Sequence, residues 1–128
     1  MTELLYKDLA YKIVGCFYNV YNQLGPGYKE SIYHKALIIE LESNKINFVE
    51  EKHLPVVYKN KKVGVYIPDF IIDDKILIEL KAVDFMPKLY EEQLYTYLKG
   101  TKYRLGYLVN FGSEKIDIRR RIYDRIKE

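Results

Sequence analysis

Asp69, Glu79 and Lys81 set two carboxylates and an ammonium into a largely apolar segment, Pro68-Asp69-Phe70-Ile71-Ile72-Asp73-Asp74-Lys75-Ile76-Leu77-Ile78-Glu79-Leu80-Lys81. The pattern reads as two strands joined by a polar turn at Asp73-Asp74. Side chains alternate along a strand, so Leu77, Glu79 and Lys81 share one face and Ile76, Ile78 and Leu80 the other. Folding the hairpin brings Asp69 towards Glu79. Two carboxylates that close repel unless a cation lies between them. Oxygen donors alone suit Mg²⁺ or Mn²⁺ better than Zn²⁺. Lys81 would enter the same cleft, able to orient a water or stabilise developing negative charge. Spacing alone leaves an ordinary Glu79–Lys81 or Asp69–Lys81 ion pair on an exposed face equally open.

Two helices carry further polar candidates. Glu30 follows the break at Gly25-Pro26-Gly27 and heads a stripe with Tyr33, Leu37 and Leu41. A first-turn acid that merely complements the helix dipole, worth about 0.3–1 kcal/mol, is the plainer account. Gln93 stands four residues from both Leu89 and Tyr97, which places it on the apolar side of its helix. There a buried amide needs partners. It could hold a water, a phosphate oxygen or Lys81, or simply cap the sheet edge. His34 and His53 have no partner at metal-ligand spacing and read as surface residues.

The elements that must position these residues follow from periodicity. Leu5, Leu9, Ile13, Phe17, Val20 and Leu24 give a helix over about 3–24, and a second runs over about 28–43. Strands are expected near 46–50, 54–59, 62–67 with 70–72 continuing it past Pro68, and 75–82. A helix over about 87–99 precedes an apolar strand at 104–111. The spacing of Ile118, Ile122 and Ile126 predicts an amphipathic helix over about 114–127. A helix between two strands implies a parallel crossover, whereas the central hairpins are antiparallel. The expected fold class is therefore α/β with α+β character, a mixed sheet flanked by helices, in a single domain over 1–128.

Composition bounds the function. The chain has 128 residues, 48% hydrophobic and 30% charged, with net charge +3, too mild to establish nucleic-acid binding by itself. No apolar run reaches the ~18 residues of a membrane span, and no secretory leader pattern opens the chain. The lone Cys16 excludes an internal disulfide and fits the cytoplasm. Its place among Ile13, Phe17 and Val20 makes it a buried, inert thiol. Basic residues gather near the end, where Arg119, Arg120 and Arg125 are candidates for contacts to a nucleic-acid backbone. Lys59, Lys61 and Lys62 at a hairpin tip read first as a solvated turn. The exposed edge strand or the Ile118/Ile122/Ile126 face could support a homodimer.

Gly27-Tyr28-Lys29-Glu30-Ser31-Ile32-Tyr33 resembles the signature of the GxxExxY proteins of the PD-(D/E)XK nuclease superfamily. Pro68-Asp69 and Glu79-Leu80-Lys81 resemble the defining pattern of that superfamily. Gln93-Leu94-Tyr95-Thr96-Tyr97-Leu98 is similar to the family's glutamine-tyrosine helix, and Leu108-Val109-Asn110-Phe111-Gly112 to its last core strand. The resemblance spans about 5–112. It implies a restriction-endonuclease-like core and a nuclease using Mg²⁺ or Mn²⁺ on DNA or RNA. Asp69 and Glu79 would be metal ligands and Lys81 the water-positioning base or charge stabiliser. Glu30 would be a further acid and Gln93 its amide partner. The same fold also hosts modules that bind nucleic acid or protein without cutting.

Overall fold

The computed structural model describes residues 5–124. Helix α1 (Lys7–Leu24) buries Ala10, Ile13, Cys16, Phe17 and Val20, and Leu5, Leu9 and Leu24 of the expected stripe pack partly buried against the same core. Burial pushes the Cys16 thiol up to about 11, so it stays protonated and unreactive. Gly25 ends the helix at φ 67°, a left-handed conformation that favours glycine. Helix α2 (Glu30–Ser43) turns Tyr33, Leu37 and Leu41 inward.

Strands β1 (Phe48–Glu50), β4 (Phe70–Ile72), β5 (Ile76–Lys81), β6 (Leu105–Asn110) and β7 (Asp117–Ile122) form one sheet in the order β1-β4-β5-β6-β7. β5 and β6 are parallel, joined through α3 (Lys88–Gly100), and the other pairings are antiparallel. This is the expected mixed sheet flanked by helices. The two faces of β5 separate as read from the sequence. Ile76, Ile78 and Leu80 pack with α1 and α2, and Leu77 packs with Leu94 and Leu98 of α3.

Two expectations are corrected. Residues 70–72 do not prolong the preceding strand. β2 (Leu54–Tyr58) and β3 (Lys61–Tyr66) form a separate two-stranded sheet, turned at Lys59 and Asn60 with φ of 49° and 66°. Paired positive φ angles make the type I′ turn whose twist suits a tight hairpin. Pro68 has no N–H to give a ladder, and the chain crosses there into the main sheet.

The arginine-rich segment is a strand, not a helix. β7 pairs with β6 from Leu105↔Ile122 to Asn110↔Asp117. Ile118 and Ile122, four residues apart, share a face in a strand as well as in a helix, because four is even. Both pack against the α1 side of the core, as does Ile116, so this face is not free for a partner. Ile126 and Arg125 lie outside the described residues.

Candidate functional site

Asp69 immediately precedes β4, and the β4–β5 register sets it beside Glu79. Its Oδ2 accepts the Leu80 N–H at 2.7 Å. Burial raises the Asp69 carboxyl above its ordinary value, opposed by that bond and by the charges of His34 and Lys81. Glu79 lies deeper and is pushed up to about 8 by burial. A hydrogen bond from the Tyr66 hydroxyl opposes that rise, and the neighbouring Asp69 charge adds to it. The two carboxyls are coupled, and their interaction favours the ionised form of Asp69 and the protonated form of Glu79.

Lys81 forms no ion pair among the described residues. Its Nζ lies over the Tyr90 ring, 4.3 Å from the centroid. The simple ion-pair alternative for Lys81 therefore does not form, yet its charge lowers Glu30, Asp69 and Glu79 alike. All three acids feel the charge of this one ammonium.

Glu30 comes to this cluster through the loop before α2. Tyr33 is fully buried and stacks on Phe111 at 4.8 Å and 7°. Its hydroxyl donates to the Gly25 carbonyl and accepts the Tyr28 N–H, so the glycine-proline-glycine bend is pinned to the first turn of α2. Gly27, at φ 116°, completes the bend in a region that L side chains rarely enter. Glu30 is exposed as a residue, but partial desolvation of its carboxyl, then the Asp69 charge, raises it above its ordinary value.

Gln93 is not buried, contrary to expectation. The face of α3 that meets the sheet carries Leu94 and Leu98, whereas Leu89 is 57% exposed. Gln93 instead lines the rim of a cleft of about 230 Å³ together with Glu79, Lys81 and Tyr90. Four-residue spacing from two apolar side chains misled because Leu89 does not belong to the packed face.

Two residues of the cluster escaped the sequence reading. His34 is not an isolated surface residue. It stacks on Phe70 at 4.4 Å, bonds Glu50 Oε1 through Nε2 at 2.9 Å, and holds Nδ1 3.9 Å from Asp69 Oδ1. Its spacing of four from Glu30 on α2 was the available signal. Tyr66, 5% exposed, also stacks on Tyr97 at 3.6 Å and 6°. Nothing in its local pattern marks it as a partner of Glu79, since their contact joins two sheets.

Of the arginines, Arg119 bonds Asp117 at 2.8 Å and Glu91 at 3.4 Å, tying β7 to α3. Arg120 faces α1, and its Nη2 is buried with no hydrogen-bond partner among the described residues. Neither guanidinium stands in the Asp69–Glu79 cluster.

Among the described residues no three Asp, Glu, His or Cys side chains converge as a ready metal cage. Mg²⁺ commonly takes only one or two carboxylates and completes its shell with water and substrate phosphate. The Asp69–Glu79 pair fits that requirement, because two adjacent, half-buried carboxyls offer oxygen donors to one cation, which would favour their ionised forms. No helix among the described residues is long and apolar enough to cross a membrane.

No curated protein and no solved structure matches the chain. A family model, described as the PD-(D/E)XK nuclease superfamily, matches residues 7–122 and so takes in β7, beyond the span of the motif resemblance. With that match over nearly its whole length, and with the α+β core just described, the chain belongs to the PD-(D/E)XK nuclease superfamily.

Proposed function

We propose that the protein is a metal-dependent nuclease hydrolysing phosphodiester bonds in nucleic acid, with the whole chain acting as one domain. The observation that carries this reading is the half-buried Asp69–Glu79 pair beside Lys81, whose ammonium at the cleft has no ion pair among the described residues. Asp69 and Glu79 would hold Mg²⁺ or Mn²⁺, with Glu30 as a further acid. A bound divalent cation supplies activation of water and neutralisation of phosphate charge.

The chain's own residues do the rest. Lys81 meets the phosphate or the attacking water with a positive charge held on the Tyr90 face. Tyr66 fixes the orientation of the Glu79 carboxyl, and the Leu80 N–H fixes that of Asp69. Gln93 offers an amide at the cleft rim for a phosphate or sugar oxygen.

The test is a panel of labelled DNA and RNA, single- and double-stranded, with Mg²⁺ or Mn²⁺. Cleavage by wild type and its loss in Lys81→Ala are expected. Binding that persists in chelator, with no cutting of any substrate, would instead identify a binding module on the nuclease fold.

A further inference from the structure

The β2–β3 hairpin has a charge that the rest of the chain lacks. Between Leu54 and Ile67 it carries Lys59, Lys61 and Lys62 and no acidic residue. These three lysines equal the formal net charge of the whole chain, +3, so the remainder is balanced. All three are exposed at the tip. Behind them Val57, Tyr58 and Val63 are 57%, 63% and 63% exposed. Val57 and Tyr58 are consecutive, so both faces of the ribbon's outer half are open.

The inner end is anchored at the candidate site. Tyr66 at the end of β3 bonds Glu79 and stacks on Tyr97, and Val65 and Ile67 line the same cleft. A ligand lying along the ribbon is therefore delivered to the acidic pair.

We propose that this hairpin is a docking element for duplex DNA, entering the major groove with its lysines on the flanking phosphates. A two-stranded ribbon fits the B-form major groove, roughly 12 Å wide, whereas the deep, narrow groove of A-form RNA excludes it. Exposed valines suit contact with thymine methyls, and the lysines supply attachment independent of sequence. Five residue steps from Lys61 to Tyr66 span about 17 Å, which is about five base pairs along the duplex. A second copy of the chain is the poorer occupant, since it would bring its own lysines. The inference rests on the nuclease reading only for the cleavage step after docking.

The experiment measures anisotropy of a labelled duplex DNA of about two helical turns in chelator, over a salt series. Wild type is compared with the triple variant Lys59→Gln, Lys61→Gln, Lys62→Gln, whose fold is checked by its thermal melt. The triple variant should bind at least about ten-fold more weakly at low salt. Its slope of log affinity against log salt should be shallower by about 2.7, the loss of three phosphate contacts. Unchanged affinity and slope overturn the proposal, as does equal lysine-dependent binding of duplex RNA. Dimerisation through the ribbon, seen by light scattering and lost in Val57→Ser, overturns it too. Cleavage with Mg²⁺ is read separately. If wild type cuts while the hairpin variant binds normally, only the docking proposal falls. If the variant loses binding while wild type cuts nothing, only the nuclease reading falls.

Discussion

Tyr66 reaches from the small sheet to the main one and donates its hydroxyl hydrogen to Glu79. This bond ties the only hairpin outside the main sheet, among the described residues, to the acidic pair. The hydroxyl itself is driven above its ordinary range, first by burial and then by the Glu79 charge, so it remains a donor. Tyr66→Phe keeps the ring on Tyr97 and deletes the donor. The bond helps Glu79 ionise, so its loss raises the Glu79 carboxyl further and weakens Mn²⁺ binding. Calorimetric titration should show about ten-fold lower affinity, and denaturant melts a loss of about 1–2 kcal/mol.

Glu79 also sets a pH signature. Its carboxyl is raised from about 4.5 to about 8 on folding. Between those values the unfolded chain releases a proton that the native state keeps. Stability therefore falls as pH rises through this window and levels off above it. Glu79→Gln imitates the protonated carboxyl, still accepting from Tyr66. Because the group borders an open cleft, the gain expected at pH 8 is about 1–3 kcal/mol, with a flatter pH dependence. Urea melts at pH 5 and pH 8 check this. A variant less stable than wild type at both values would contradict it. The same variant should lose metal binding.

The faces of β5 were legible because alternation there is unbroken: apolar Ile76, Ile78 and Leu80 against Leu77, Glu79 and Lys81. The turn at Asp73-Asp74 was legible for a local reason too, since both residues adopt φ near 50°. β7 was misread because Ile118 and Ile122 satisfy either period, and the residue that decides, Arg120, is polar yet inward. His34 and Tyr66 join the cluster through contacts between separate elements: for His34 the local signal is only its spacing of four from Glu30, and for Tyr66 no single-segment pattern records the contact.

Gly112 marks a close crossing behind the site. A Cβ there would lie 2.3 Å from the Val83 nitrogen and 2.5 Å from the Ala82 carbonyl carbon. Both are backbone atoms, directly after Lys81 in the chain. Fully buried Asn110 locks the same crossing by accepting the Val83 N–H at 2.9 Å and donating to its carbonyl at 2.8 Å. Gly112→Ala must push the end of β5 away, at a cost of about 1–3 kcal/mol. Lys81 should shift with it, so thermal melts and nuclease assays should both register the change.

Arg119 and Arg120 are adjacent in β7 but should respond differently to an apolar substitution. Arg119 joins Asp117 to Glu91 and donates to the Met86 carbonyl at 3.3 Å, so Arg119→Leu leaves Glu91 with Arg121 alone. A loss of about 1–2 kcal/mol is expected. Arg120 lies between Ile118 and Ile122 on the apolar side, its Nη2 buried without a partner among the described residues. An unsatisfied buried donor costs about 1–3 kcal/mol, and an unbranched apolar side chain of similar length removes that cost. Arg120→Met should therefore be neutral or stabilising by about 1 kcal/mol. In an amphipathic helix Arg120 would lie on a different face from Ile118 and Ile122, largely in water, and the substitution would add exposed apolar surface without relieving anything. Chemical denaturation of the two variants side by side separates the alternatives: a clearly destabilised Arg120→Met would argue against the inward-facing strand.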